Sequence, residues 1–158
     1  HAEANGFDTY SVFEMKGFSK EREFSPQDED IDHLLSRYDK SKKLLLVANQ
    51  WEGKENKREK NEELWKRESE CISRNIGILV AALFKKKFEG LITVTGGDTL
   101  YGVIDGLGIK YLEPYYEIET GVVLSRFKIE EKEHYLIAKS GGLGSKEVFN
   151  RIFKSLCE

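Results

Sequence analysis

The feature that most constrains the fold is the alternation of short apolar runs with segments of helical periodicity. Two runs, Leu44–Ala48 and Leu91–Thr95, are the length of strands and are dominated by aliphatic and β-branched residues. Such runs are typical of parallel strands covered on both faces. Between them, apolar residues recur at helical spacing at Ile72, Ile76, Leu79, Val80 and Leu83. Strands alternating with helices predict an α/β fold: a mostly parallel sheet with helices on both faces, a Rossmann-like three-layer sandwich.

Weaker signals extend this pattern to both ends of the chain. Thr9–Lys16 alternates aromatic or β-branched residues with polar ones and predicts a strand. Ser25 and Pro26 predict the start of a helix, with Asp28 as a capping-box acid. A helix is predicted to follow Gly96–Gly97 and to end at Gly108. The remaining segments predict three strands and a last helix, over Ile109–Leu112, Gly121–Phe127, His134–Ala138 and Val148–Leu156.

Composition and charge exclude several classes of protein. The 158 residues fit one domain, with 39% hydrophobic and 34% charged residues. A formal net charge of -3 gives no basic field for nucleic acid or an anionic membrane, so neither is expected as a partner. No apolar run approaches the roughly 20 residues of a membrane helix. Cys71 and Cys157 share no motif, which favours a reducing, cytoplasmic location.

The ends of the chain suggest a piece of a longer protein. The sequence opens at His1, and its only methionine is Met15. We therefore expect a fragment of a longer polypeptide, although a processed or tagged full-length protein would show the same start.

A first glycine turn joins the run Leu91–Thr95 to the next helix. Gly96 and Gly97 allow a sharp bend and leave room for a ligand beside the backbone. The amides and dipole of the following helix start favour an anion, and Thr99 offers a hydroxyl. Asp98 can cap the helix, accept a hydrogen bond from a sugar hydroxyl, or bind hydrated Mg²⁺. A plain turn with an Asp cap fits the same letters.

A second glycine turn also leaves a predicted strand and enters a helix. Lys139 offers a positive charge to a phosphate, and Ser140 follows it. Gly141, Gly142 and Gly144 permit close approach to the backbone. Neither turn matches the strict P-loop or the dinucleotide pattern, and glycines can serve only to bend a chain. Because ligands of such sheets bind at the carboxyl ends of strands, the two turns together favour a ligand site.

Other catalytic and metal signatures are missing from the sequence. His1, His33 and His134 share no ligand spacing, so no metal site is expected from them. No serine lies in a G-x-S-x-G elbow, which argues against an esterase triad.

Three segments carry a resemblance to a known family. They are TGGDTLYGVIDGLGI at Thr95–Ile109, ETGVVLSR at Glu119–Arg126, and AKSGGLGSKEVF at Ala138–Phe149. In order and spacing they resemble the C-terminal, nucleotide-binding domain of the four-carbon acid sugar kinases. Thr120–Val123 lacks the prolines of the family's turn, Leu143 replaces an aromatic residue, and Leu100–Tyr101 replaces a small pair.

The resemblance implies one half of a kinase, a cytoplasmic transferase of carbohydrate metabolism. The family phosphorylates acid sugars such as threonate and erythronate with ATP and Mg²⁺, and a separate N-terminal domain holds the sugar acid. ATP would then bind at Gly96–Thr99, and a glycine of Gly141–Gly144 would complete the site. No catalytic residue is implied within this chain, which alone is expected to be inactive. Homo-oligomerisation stays open.

Two other functions fit the same residues. A non-catalytic interaction or regulatory domain would keep the nucleotide-binding fold without its ligand. A flavodoxin-like or Rossmann-like binder would instead prefer a flavin or a dinucleotide.

Overall fold

The computed structural model describes residues 6–48, 62–143 and 147–157, the last with side chains to residue 152. The described strands are β1 Asp8–Ser11, β2 Leu44–Val47, β3 Ile92–Thr95, β4 Glu113–Glu119, β5 Val122–Ile129 and β6 Lys132–Lys139. The described helices are α1 Asp28–Ser41, α2 Glu62–Lys85, α3 Gly97–Leu107 and α4 Val148–Cys157. The apolar runs Leu44–Ala48 and Leu91–Thr95 form β2 and β3, as the sequence predicts.

The strands of the described chain form two sheets. β1 and β2 pair in parallel, and a four-stranded sheet has the order β3-β6-β5-β4. Only β3 and β6 are parallel in the larger sheet, because β6 pairs with β5, and β5 with β4, in antiparallel fashion. The prediction of a mostly parallel sheet is therefore wrong for this larger sheet.

Two tight turns cause the antiparallel pairing. Thr120 and Gly121 connect β4 to β5, and Glu130 and Glu131 connect β5 to β6. Two-residue connections can join only antiparallel strands, since a parallel pair needs a long crossover. Both glutamates have positive φ, at 47° and 66°, as a hairpin turn of this kind requires. A Glu-Glu turn carries no glycine or asparagine signal, which is why the sequence did not reveal it.

Helices cover both faces of the larger sheet, as predicted. On one face, α2 and α3 pack on alternate residues of the strands, around Val80, Val103, Phe127 and Leu136. On the other face, α4 packs through Val148 and Ile152 on Val122 and Ile137. Because Leu136 and Ile137 are neighbours in β6 and face opposite cores, the strand is buried on both sides.

Helices α2 and α3 touch through their backbones. A Cβ atom added at Gly102 would lie 2.1 Å from the Ser73 carbonyl oxygen, and one at Gly77 would lie 1.9 Å from the Gly102 oxygen. A Cβ atom added at Gly106 would likewise lie 2.4 Å from the Gly77 carbonyl oxygen. Only glycine permits this approach, which fixes α3, and therefore its first turn, against α2.

Strand β2 of the two-stranded sheet and strand β3 of the four-stranded sheet are not paired with each other in the described residues. A cavity of about 290 Å³ lies between them, with Leu44, Leu46, Ile92 and Val94 among its walls.

Three predicted boundaries are wrong. Ile109–Leu112 is not a strand: Gly108 ends α3, Ile109 is buried beneath it, and the strand begins at Glu113. Of Thr9–Lys16, only the first residues belong to β1, because Val12–Glu14 forms a 3₁₀ turn. Helix α1 starts at Asp28, after Gln27.

The start of α1 has a simple electrostatic cause. Ser25 and Pro26 precede the helix, and Gln27 makes no side-chain cap. Three acids, Asp28, Glu29 and Asp30, lie in the first turn, where their negative charges stabilise the helix by interacting with the positive end of its dipole.

Candidate functional site

The two glycine turns lie side by side at one edge of the larger sheet. Because β3 and β6 are parallel neighbours, their carboxyl ends meet, and the Gly96 N–H donates to the Lys139 carbonyl oxygen at 3.0 Å. A Cβ atom added at Gly141 would lie 3.9 Å from the Gly96 Cα. The hairpin turn at Gly121 is at the same edge, since Val122 pairs with Lys139.

The first turn presents the bare start of α3. Gly96, at the N-cap position, has φ of 96°, a conformation that residues with side chains rarely adopt. As a glycine it has no side chain that could cap the helix. The first bond inside the helix runs from the Leu100 N–H to the Gly96 oxygen at 3.0 Å. The amides of Gly97, Asp98 and Thr99 precede that bond and have no backbone partner among the described residues. Three donors at the positive end of a helix dipole suit an anion.

Open space lies beside this helix start. A Cβ atom added at Gly97 or at Gly142 meets nothing within 4 Å. Gly97, Asp98 and Gly142 are exposed, whereas Thr99 is half-buried, with its hydroxyl 3.9 Å from the Cβ position of Gly96. No described side chain fills the position directly beside either glycine.

The second turn is fixed by backbone bonds of its own. The Ser140 N–H donates to the Gly121 carbonyl oxygen at 2.9 Å, which ties the turn to the hairpin between β4 and β5. The Lys139 ammonium donates to the Ser140 oxygen at 2.9 Å and therefore lies beside the turn. Gly144 lies outside the described residues. The other predicted site residues of both turns are all at this edge.

Two of the residues that depart from the family pattern have packing roles. Leu100 lies against the core between α3 and the sheet. Leu143 packs on Gly121, where an added Cβ atom would come within 2.8 Å of the leucine Cδ1. Tyr101 is 72% exposed and joins none of the core clusters. Leu100 and Leu143 therefore do not block the first turn.

Sequence reasoning missed the parts that position the site. The contribution of Gly121 was not foreseen, and neither was the close contact of α2 with α3 at Gly77 and Gly102. The glycines inside the predicted helices, Gly77 in one and Gly102 and Gly106 in the next, were the available signal, since glycine is unfavourable there without a packing reason.

The described residues supply no metal cage. Within 6–48, 62–143 and 147–157, no group of three or more His, Cys, Asp or Glu residues is placed to hold a metal ion. The carboxylate among the predicted site residues is that of Asp98, at the start of α3. In the same described part of the chain, no helix is long and apolar enough to cross a membrane.

Fold and edge geometry define an α/β domain that offers bare backbone donors at the carboxyl ends of two parallel strands. The model of one protein family, described as a nucleotide-binding C-terminal domain, matches residues 19–149. The chain belongs to this family. No curated protein matches its sequence significantly.

Solved structures share the fold at low sequence identity. A Haemophilus influenzae protein of the DUF1537 family superposes with a TM-score of 0.66 and 16% identity, over 97% of this chain and 36% of that one. A Salmonella typhimurium protein, described as a candidate tRNA synthase, gives a TM-score of 0.64 and 18% identity, over 97% and 36%.

A Bordetella bronchiseptica DUF1537 domain, a domain-swapped dimer with bound citrate, has a TM-score of 0.61 and 18% identity. The match covers 95% of this chain and 33% of the Bordetella chain. The chain thus spans about a third of the length of these structures.

Proposed function

We propose that this domain binds ATP with Mg²⁺ for a kinase that phosphorylates four-carbon acid sugars. The observation that carries the proposal is the contact between the Gly96 and Gly141 turns, beside the uncapped amides of Gly97–Thr99. Membership of a nucleotide-binding family supports a nucleotide as the anion. The kinase and its acid sugar rest on the sequence resemblance.

The phosphates would lie against the start of α3. The amides of Gly97, Asp98 and Thr99 would donate to phosphate oxygens, and the Lys139 ammonium would add a positive charge. Gly141 and Gly142 would leave room for the phosphates to approach the second turn. Phosphoryl transfer depends mainly on such positioning and charge neutralisation.

Magnesium would arrive with the nucleotide. Mg²⁺ keeps several waters and usually binds through one or two carboxylates together with substrate phosphates. A single exposed carboxylate, Asp98, at the helix start fits that mode of binding.

The acceptor sugar acid would be held elsewhere. Nothing in this chain resembles the acidic catalytic motif of the family, and the solved structures are about three times longer than their match to it. We therefore expect the 158-residue chain to bind nucleotide weakly and to transfer no phosphate.

Isothermal titration calorimetry tests the nucleotide proposal. ATP with Mg²⁺ should give a binding isotherm, and NAD or FMN under the same conditions should give none. A folded chain that releases no heat with ATP would favour the non-catalytic interaction domain. A preference for NAD or FMN would favour the flavodoxin-like or Rossmann-like reading.

A phosphate-transfer assay with threonate and erythronate tests the division of labour. No product should form with this chain, whereas steady turnover would contradict the role of a separate acceptor domain.

A further inference from the structure

Tyr101 is a large aromatic residue on the solvent side of α3. It is 72% exposed, although the helix that carries it packs closely on α2 and on the sheet. Among the described residues, its ring contacts no other ring and its hydroxyl makes no hydrogen bond. Packing within the chain therefore does not account for this side chain.

Helical spacing places Tyr101 on the same face of α3 as the open glycine of the first turn. Gly97 and Tyr101 are four residues apart, so they lie one above the other, about 6 Å apart along the helix axis. Gly97, Asp98, Tyr101 and Asp105 are all exposed along this face. The outer face of α3 therefore connects the uncapped amides to the tyrosine ring.

The direction of helical side chains brings the ring towards the same turn. Side chains of an α-helix tilt towards its N-terminus, so a residue covers the surface of the turn that precedes it. For Tyr101, that turn begins at Gly97. A Cβ atom added at Gly97 meets nothing within 4 Å, so the ring leaves the space directly over the glycine open. The open space at the helix start is thus bounded on one side by an aromatic ring.

The other exposed tyrosines of the described chain lie elsewhere. Tyr111 follows the C-terminal end of α3, and Tyr115 and Tyr116 lie on β4, at the edge of the sheet opposite β3. Tyr135 lies beside Tyr115, with their ring centroids 6.3 Å apart. Tyr101 is therefore the exposed tyrosine that the fold places next to the first glycine turn.

The ring and the amides together suit the two ends of a nucleotide. Phosphates suit the amides at the helix start, and a base is a flat aromatic ring that gains affinity by stacking on another aromatic ring. The ribose that separates the base from the phosphates has a length on the order of one helical turn. One nucleotide can therefore reach from the amides to the ring.

We propose that Tyr101 is the stacking platform for the base of the bound nucleotide. The base lies on the exposed ring, the phosphates lie at the amides of Gly97–Thr99, and the ribose lies between them. A stacked base is recognised by its flat face, so the tyrosine adds affinity without a charge or a hydrogen bond. This inference rests on the proposed function, because it extends the same phosphate site.

Calorimetry with two ligands tests the stacking. ATP and inorganic tripolyphosphate, each with Mg²⁺, are titrated into the 158-residue chain, and only ATP carries a base. Tyr101→Ala should weaken ATP binding about 5-fold to 150-fold and leave the affinity for tripolyphosphate unchanged. Tyr101→Phe keeps the ring and should bind ATP as the native chain does. Tyr111→Ala, at another exposed tyrosine, is the control and should leave both affinities unchanged.

The paired ligands separate this inference from the proposed function. If Tyr101→Ala binds both ligands as the native chain does, the stacking role is overturned and the phosphate site stands. Equal losses of both affinities would mean that the tyrosine supports the turn, and would also overturn the stacking role, as would an equally large loss of ATP affinity in Tyr101→Phe. A folded native chain that binds neither ligand would refute the phosphate site and this inference with it.

Discussion

At the scale of single residues, Gly97 is the most informative position in the candidate site. It has open space where a side chain would project, and its φ lies outside the positive range that disfavours side chains. A larger residue there should therefore fold normally and obstruct only a ligand. This separates it from Gly96, whose φ of 96° ties the glycine to the turn itself.

Replacing Gly97 with valine should abolish binding of ATP and leave the melting temperature almost unchanged. The added methyl groups would occupy the space that a phosphate needs beside the α3 amides. Calorimetry gives the affinity and differential scanning fluorimetry gives the melting temperature. Asp105→Val, an exposed position near the other end of the same helix, is the matched control and should bind normally. Undiminished binding by Gly97→Val would exclude this turn as the site.

A second residue-scale prediction concerns acid stability. The side-chain hydrogen bonds of Arg37 lower the pKa of Asp8 from its ordinary value of 3.8, with the Nε–Oδ2 bond at 2.8 Å. Because the folded pKa is the lower one, the unfolded chain binds more protons there. The stabilisation is complete above about pH 4 and is lost as pH falls through the folded pKa.

Asp8→Asn should consequently lose less stability between pH 7 and pH 3 than the native chain does. Urea unfolding midpoints at the two pH values measure the difference. If both proteins lose the same amount, the ion pair does not contribute to acid sensitivity.

At the scale of elements, the position of α3 depends on its contact with α2. A Cβ atom at Gly102 would lie 2.1 Å from the Ser73 oxygen, and both partners belong to helix backbones that cannot rotate away. The helices must separate to accept it. Since α3 begins at the glycine turn, a shift of the helix also moves the amides of the candidate site.

Gly102→Ala should destabilise the chain by about 2–3 kcal/mol, the usual scale of overpacking, despite the better helix propensity of alanine. For a domain of this size that corresponds to a fall in melting temperature of about 4–12 °C. Gly142→Ala, where an added Cβ meets nothing within 4 Å, is the control and should change the melting temperature little. Equal effects of the two substitutions would refute the close helix contact.

The elements that the sequence predicts best are those whose apolar residues pack on a core. β2 and β3 carry continuous apolar runs, and α3 carries apolar residues at helical spacing, because each element packs on one of the core clusters. β4 was misplaced because its first five residues are exposed, so burial imposes no pattern on them. The Glu130–Glu131 turn was not predicted either, because the hairpin imposes its positive φ values and neither glutamate favours them by residue type.

At the scale of the whole molecule, the sequence placed both glycine turns after strands, and the fold brings the strands together. The adjacency of β3 and β6 could not be predicted from the sequence, because β4 and β5 lie between them along the chain and no local pattern indicates that β6 returns to pair with β3. That β2 and β3 do not pair in the described residues was equally hidden, since an apolar run predicts burial but not the neighbour that provides it. Local patterns thus indicate which residues serve the site, and topology decides whether they meet.

The central claim is that ATP binds where the two glycine turns touch. Chemical-shift mapping by NMR, with ATP and Mg²⁺ titrated into the isotopically labelled chain, tests it most directly. The largest changes should fall on the amides of Gly97, Asp98 and Thr99 and of Ser140, Gly141 and Gly142. Changes centred on another part of the sheet, or none in a folded chain at millimolar ATP, would contradict the account.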